Sequence, residues 1–214
     1  AGSAPAHLDY VRARGAGYAS LVDPLPRSHR ELVLGDGIRI GGRTWRIVVE
    51  GGHAPAHACL WSLDLGVLIA GDQILPRISP NVSVGPMASG ADPLAAYQKA
   101  LGRFAVWSGD PLVLPSHDAP FHGLQGRARQ LGRHHEERLA AVLAACERPV
   151  RVSDIAAVLF DRELDSHEMG FAIGETLAHV NRLTAEGKVR ATTDADGVWR
   201  VQAVPGSVVS TEVV

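Results

Sequence analysis

Three polar side chains with metal-binding chemistry each follow an apolar, strand-like segment. His53 lies on a glycine-rich turn after one predicted strand, Asp72 ends a second, and His117 ends a third. Polar groups at the ends of several strands in an α/β sheet commonly meet at one edge, so we expect these three to converge. Two imidazoles and a carboxylate suit zinc, and also manganese or iron. The pattern therefore predicts a metal site.

Each of these residues also has a structural interpretation when it is taken alone. His53 fits a turn histidine that is satisfied by its neighbours, and Asp72 fits a helix cap or turn former. The metal interpretation depends on three successive strands that end in the same way. We predict that four further residues form the surroundings of the ligands or the wall of the cleft: His57, Ser79, Asn81 and Ser116.

The elements that must position these residues suggest two units in a chain of 214 residues. Strands with interspersed helices predict a first unit over 1–133, and helix, helix and hairpin predict a second over 134–203, followed by a tail over 204–214. We expect the helix over 123–145 to be broken or bent near Gly132 and to place its arginines on a solvated face. The adjacent His134 and His135 are predicted to lie at a surface or between domains.

Composition excludes several classes of protein. Hydrophobic residues make up 46% and charged residues 21%, which is typical of a globular protein and not of a disordered or collagen-like chain. No apolar run approaches the roughly 20 residues of a membrane span. The net charge of −2 offers no general attraction to nucleic acid or to an anionic membrane. The two cysteines are too few and too far apart for a disulfide scaffold. We expect a cytoplasmic protein.

The three motifs, quoted in full, resemble a known family. Gly-Gly-His-Ala-Pro-Ala-His, Leu-Ile-Ala-Gly-Asp-Gln and Leu-Pro-Ser-His-Asp-Ala-Pro-Phe-His-Gly are similar to the second half of a metallo-β-lactamase-fold hydrolase. The resemblance runs from about residue 31 to 203. It is closest to the branch of beta-lactamase-like endoribonucleases and glyoxalase II-like proteins, which carries a C-terminal winged-helix domain. The implied fold class is α/β: the C-terminal half of an αββα sandwich followed by a winged helix.

The resemblance also implies roles for the three candidate ligands. The residue matching His53 completes one metal site, the one matching Asp72 bridges two metals, and the one matching His117 belongs to the other site. The family site holds two zinc ions. A metal-bound hydroxide there would attack an ester, thioester, lactone or phosphodiester, in a small molecule or in a nucleic acid.

One departure from the family pattern limits what this chain can do. The family's first motif, His-x-His-x-Asp-His, occurs nowhere in the sequence. We therefore expect an N-terminal half to be missing, the isolated chain to be inactive with no catalytic residue of its own, and the bare sheet face to be covered by that half or by a homodimer. The alternative is a non-catalytic truncated product or interaction fragment. DNA binding by the winged helix is disfavoured, because residues 149–203 hold six basic and nine acidic residues.

Overall fold

The computed structural model describes Asp9, Asp23 and residues 27–85 and 88–207. The described chain forms two compact units, whose boundary falls between Glu137 and Arg138. The boundary predicted at 133/134 falls in the same helix. The described residues of Gly85–Gly90 group with the second unit.

The first unit contains a five-stranded sheet and two helical segments. The sheet order is β1-β2-β3-β4-β5. Helix α1 spans Pro93–Ala105, and helix α2 spans Leu124–Ala145 and continues into the second unit. The strands are β1 (Gly37–Ile40), β2 (Arg43–Glu50), β3 (His57–Ser62), β4 (Val67–Gly71) and β5 (Leu112–Pro115).

The directions of the strands explain why distant motifs share one edge of the sheet. Strand β3 is antiparallel to both β2 and β4, and β4 is parallel to β5. Strands β2, β4 and β5 therefore all run the same way. Their carboxyl ends, at Glu50, Gly71 and Pro115, lie at the same edge of the sheet.

Helix α1 is specified by a capping residue and an apolar stripe. Asp92 accepts a hydrogen bond from the Ala95 amide at 2.9 Å, and Pro93 fixes the first helical position. Its buried side chains recur at the helical spacing of three to four residues and form one face: Leu94, Tyr97, Ala100, Leu101 and Phe104.

Helix α2 is continuous over Leu124–Ala145, so a break at Gly132 is wrong. A glycine inside a helix costs about 1 kcal/mol relative to alanine but does not by itself interrupt the hydrogen bonds. Leu131 and His135 are buried on either side of Gly132 and hold the helix in place.

The predicted surface position of His135 is also wrong. His135 is fully buried, and its ring packs edge-on against the Tyr97 ring with centroids 5.4 Å apart. Not all the arginines of α2 form a solvated face either. Arg138 pairs with Glu175 at 3.3 Å and lies 4.6 Å from the centre of the Phe160 ring.

The second unit combines three helical segments with a small sheet. Helices α3 (Val152–Leu159) and α4 (Ser166–Ala185) precede the hairpin of β7 (Val189–Thr193) and β8 (Trp199–Ala203). Strand β6 (Val150–Arg151) completes a sheet of order β6-β8-β7. One apolar face of α4 lies in this core, with Ile173, Val180 and Leu183 buried and Leu177 packed against them.

One face of the five-stranded sheet carries a row of apolar side chains with uneven burial. The strand pairing places Ile47 opposite Leu60, Leu60 opposite Ile69, and Ile69 opposite Leu114. Ile47 is buried, Leu60 and Leu114 are half-buried, and Ile69 is 36% exposed.

Across the residues that the structure describes, no helix combines the length and apolar character needed to cross a membrane.

An ion pair joins α1 to the end of β2, directly before the turn that carries His53. The Arg103 guanidinium donates two hydrogen bonds to the Glu50 carboxylate, one of them at 2.8 Å from Nε to Oε1. Glu50 is 3% exposed, whereas Arg103 is 45% exposed.

We predict that Arg103→Met lowers the free energy of unfolding by about 2–3 kcal/mol, because it leaves a buried carboxylate unpaired while the lost partner was only half-buried. Chemical denaturation measures this change.

Two matched variants test the cause. Adding Glu50→Gln to Arg103→Met removes the stranded charge and should recover part of the loss. Arg129→Met removes an exposed arginine from α2 and should change the stability by no more than about 0.5 kcal/mol. Equal losses in the single and double variants would contradict the explanation from the buried charge.

Candidate metal centre

His53, Asp72 and His117 follow strands β2, β4 and β5, and the structure brings their side chains together. His53 Nε2 lies 3.5 Å from Asp72 Oδ2, and His117 Nε2 lies 3.4 Å from Asp72 Oδ1. The carboxylate therefore stands between the two imidazoles. The three side chains are partly exposed: His53 by 28%, Asp72 by 30% and His117 by 65%. A ligand from solution can reach them.

A backbone carbonyl fixes the orientation of His53. Its Nδ1 lies 2.9 Å from the carbonyl oxygen of Asn81, and a carbonyl can only accept, so Nδ1 carries the proton. In the neutral ring, Nε2 then carries a lone pair, and this lone pair faces an oxygen of Asp72. Two acceptors facing each other repel, so a proton or a cation belongs between them. The same pattern, with the second ring nitrogen bonded to a carbonyl, is typical of metal-ligating histidines.

Ser116 orients the carboxylate from the other side. Its hydroxyl donates to Asp72 Oδ1, the oxygen that faces His117. Its backbone amide donates to the Gly71 carbonyl at 3.1 Å and extends the parallel pairing of β4 and β5 beyond their ends. Asp72 is therefore held by the strand that carries His117.

These three side chains do not form a closed ligand set. Within residues 27–85 and 88–207, together with Asp9 and Asp23, no group of three or more His, Cys, Asp or Glu side chains is arranged to hold a metal ion. His53 and His117 face different oxygens of the Asp72 carboxylate.

The glycines beside the site make room for protein and not for an ion. Gly52 has a φ of +123°, and a Cβ atom there would lie 2.5 Å from the Cβ atom of Tyr97 in α1. Gly71 has a φ of +53°, and a Cβ atom there would lie 2.8 Å from the His57 ring. Both turns therefore pack against other parts of the protein at the place where a larger residue would carry its side chain.

His57 begins strand β3 at the same edge of the sheet and is not a turn residue. Its ring stands edge-on to the His53 ring with centroids 5.9 Å apart, and its Nδ1 lies 3.7 Å from Cys59 Sγ. Burial, followed by the nearby His53, lowers the pKa of His57. Burial raises the pKa of Cys59 to about 12, with a smaller contribution from Glu50, so this thiol stays protonated and inert.

A cavity of about 190 Å³ opens beside these side chains. Its wall is supplied largely by the irregular segment that follows Asp72, including the predicted residues Ser79 and Asn81. Asn81 contributes its main-chain carbonyl to His53, while its side chain accepts from Ser83. The lining residues are His53, Asp72, Leu75, Ile78, Ser79, Pro80, Asn81 and His117.

Two residues that support the site escaped the sequence interpretation. Gln73 Nε2 donates to the Gly51 carbonyl at 2.8 Å and ties the turn after β4 to the turn after β2. Arg127 of α2 donates to the carbonyls of Leu75 and Ile78. All three bonds end on main-chain oxygens, which every residue has, so no residue pattern could reveal them.

Comparison with protein families decides the relationship. A family model described as Metallo-beta-lactamase superfamily matches residues 2–120, which is more than half of the chain. The chain belongs to the metallo-beta-lactamase superfamily. A second model, described as Metallo-beta-lactamase-like, C-terminal domain, matches residues 139–204.

Two crystal structures of superfamily proteins are similar to the chain. A beta-lactamase domain protein from Burkholderia ambifaria is 46% identical with a TM-score of 0.89, and the match covers 94% of this chain and 58% of that one. A metallo-beta-lactamase family protein from Thermus thermophilus is 30% identical with a TM-score of 0.74, over 84% of this chain and 56% of that one. The chain thus spans less than two thirds of the length of either protein.

The close packing of Gly52 against α1 yields a prediction for the turn that carries His53. Gly52→Ala should lower the free energy of unfolding by about 3 kcal/mol or more, because its Cβ atom would collide with Tyr97 and its φ is unfavourable for alanine. The measurement is thermal or chemical unfolding. Gly126→Ala is the control: it lies in α2 with open space around it, and it should raise stability by up to about 1 kcal/mol. An unchanged free energy of unfolding in Gly52→Ala would show that the turn can move away from α1.

Proposed function

We propose that the chain supplies part of the dinuclear zinc centre of a metal-dependent hydrolase. The observation that carries the proposal is the placement of His53 and His117 on opposite oxygens of the Asp72 carboxylate, 3.5 and 3.4 Å away. A carboxylate between two imidazoles is suited to bridge two cations while each histidine binds one. Manganese and iron accept the same donor atoms.

The spacing and the chemistry of the donors both fit zinc. Two ligands that lie about 2.0–2.1 Å from one tetrahedral zinc are about 3.3–3.4 Å apart. The two separations between imidazole and carboxylate are close to this value. The proton on His53 Nδ1 also leaves Nε2 as the ligating atom.

The chain's own residues act by holding and orienting. When bound, zinc would lower the pKa of a water ligand towards about 7 and polarise the bond to be cleaved. His53 would bind one ion and His117 the other, with Asp72 shared between them. Ser116 keeps the carboxylate oriented, and the Asn81 carbonyl keeps His53 in one tautomer.

We propose that the isolated chain is inactive, because three ligands shared between two ions leave both ions under-coordinated. Structural zinc sites have four protein ligands and catalytic sites have three. The other ligands would come from a His-x-His-x-Asp-His motif outside these residues. Reading the gene upstream of the Ala1 codon tests this point directly. Absence of that motif would favour the non-catalytic alternative.

The composition of the cavity wall supports an acyl substrate: an ester, thioester or lactone. Leu75, Ile78 and Pro80 are apolar, and the described lining residues include no lysine or arginine. Binding of nucleic acid relies on several basic contacts to phosphate. By its motifs we assign the chain to the branch of endoribonuclease-like and glyoxalase II-like proteins. Within that branch, the composition of the cavity wall favours cleavage of an acyl bond over cleavage of a phosphodiester.

We further propose that the second unit is a winged helix with a structural role. Helices α3 and α4 followed by the β7–β8 hairpin have the element order of that module. The net charge of −3 over residues 149–203 opposes DNA binding. Helix α4 carries one arginine, Arg182, which pairs with Glu186 at 2.8 Å.

The half-exposed apolar row supports the proposal of a covering layer. Half-buried Leu60 and Leu114 flank Ile69, which is 36% exposed, on the sheet face that a sandwich would cover. The chain spans 58% and 56% of the two similar proteins, which leaves length for such a layer in a longer protein. In its absence, a second copy of the chain would cover the face.

Zinc titration tests the metal proposal. The 214-residue chain should bind at most one zinc tightly, measured with a competing chromophoric chelator. Asp72→Asn should weaken binding more than His53→Ala or His117→Ala, because Asp72 faces both histidines. A loss of at least about tenfold is the expected scale for a removed ligand.

The control for the titration is His122→Ala, which removes an exposed histidine that lies near Asp110 and not among the cavity residues. It should bind zinc like the unchanged chain. If the Asp72→Asn variant bound zinc as tightly as the unchanged chain, the bridging role of Asp72 would be contradicted. More than one tightly bound zinc per chain would show that the site is more complete than we propose.

Self-association tests the proposed cover. In light scattering coupled to gel filtration, we expect the isolated chain to form dimers as its concentration rises, and Ile69→Lys to shift it towards the monomer. Leu63→Lys is the control, because Leu63 is 73% exposed in the turn after β3. A chain that stays monomeric at all concentrations would argue against cover by a second copy.

A further inference from the structure

The segment that lines the cavity has no regular structure of its own. Residues 72–85 form neither helix nor strand, yet they include Asn81, whose carbonyl orients His53. Segments of this kind depend on side chains from elsewhere to satisfy their main-chain groups. The question is which side chain holds this one.

Arg127 makes the contacts that answer it. From the first turn of α2, its Nε donates to the Leu75 carbonyl at 2.6 Å and its Nη2 to the Ile78 carbonyl at 2.8 Å. Its third nitrogen, Nη1, donates to Gln130 Oε1 at 2.7 Å, which orients the guanidinium plane. The side chain is half-buried, and burial lowers its pKa, though an arginine stays charged at neutral pH.

The two contact points lie symmetrically between the functional residues. Leu75 comes three residues after Asp72, and Ile78 comes three residues before Asn81. Leu75 is 2% exposed and Ile78 is 55% exposed, so Arg127 joins the buried and the open part of the cavity wall. A planar guanidinium can bridge two carbonyls in a fixed geometry, whereas the point charge of lysine cannot.

We propose that Arg127 is a positioning residue that clamps the segment after Asp72 and thereby holds the Asn81 carbonyl against His53. The importance of His53 rests on the proposed metal function, but the clamp itself does not. It acts in the metal-free chain, through main-chain contacts alone. It touches no substrate and no metal ligand.

Arg77 provides a built-in probe, since it is exposed and lies between the two clamped residues. Trypsin can cut after Arg77 when the segment opens, and the rate then follows the population of the open form. We expect Arg127→Met to speed this cut at least about tenfold, which is the scale of losing hydrogen bonds from a charged donor. The cut rate of Arg127→Lys should lie between those of the unchanged chain and Arg127→Met. Mass spectrometry identifies the cut site.

A second readout reports on His53 itself. In the metal-free chain labelled with ¹⁵N-histidine, long-range correlation spectra show which ring nitrogen carries the proton. The unchanged chain should show His53 protonated at Nδ1, and Arg127→Met should show a mixture of tautomers. A merely structural arginine would lower stability without moving this signal.

Arg129→Met is the matched control, because Arg129 lies on the same helix and donates to the Ala105 carbonyl at 3.0 Å, outside the cavity wall. It should leave the cut rate and the tautomer unchanged. If Arg127→Met does not fold, Arg127→Lys decides by the same two readouts. An unchanged cut rate together with an unchanged His53 signal in the folded variant overturns the clamp. If the unchanged chain binds no zinc, the metal function fails while the clamp is judged separately.

Discussion

The site depends on one unfavourable contact that the fold imposes: an imidazole lone pair that faces a carboxylate oxygen. The Asn81 carbonyl forces the proton of His53 onto Nδ1, and Nε2 is thereby directed at Asp72 from 3.5 Å. Such a pair is stable only when a positive charge lies between its members. A proton satisfies this condition with one bond, whereas a divalent cation satisfies it with two ligand bonds. A divalent cation would therefore suit this pair, as the proposed function requires.

The strand topology places this contact where a ligand can reach it. Because β2, β4 and β5 run the same way, their ends deliver His53, Asp72 and His117 to one edge of the sheet. The antiparallel strand β3 begins at that edge with His57, whose ring takes the space beside Gly71. Close packing at Gly52 and Gly71 then fixes the main chain that directly precedes His53 and Asp72. The glycines of the motifs thus serve the packing that holds the site and only indirectly the site itself.

The sequence predicted the parts of this arrangement that depend on the type of side chain. Apolar runs that end in His53, Asp72 and His117 indicated three strands with polar ends, and that inference needs only hydrophobic patterning. The cap at Asp92 and the apolar face of α4 depend on equally local rules. Contacts to main-chain carbonyls could not be predicted, because any residue presents the same oxygen. A break at Gly132 was wrong for a related reason, since buried neighbours outweigh a local propensity.

Order and completeness are separate properties of a metal site, and the site that we propose for this chain would have the first without the second. Asp72 is oriented by Ser116 and His53 by Asn81, so both side chains are already arranged before any cation binds. Little conformational entropy is left to lose on binding, which favours affinity. The number of ligands limits affinity instead, because His53 and His117 serve different oxygens of one carboxylate. Additional ligands placed opposite these side chains would therefore raise affinity steeply, since they would act on a half-site that is already ordered.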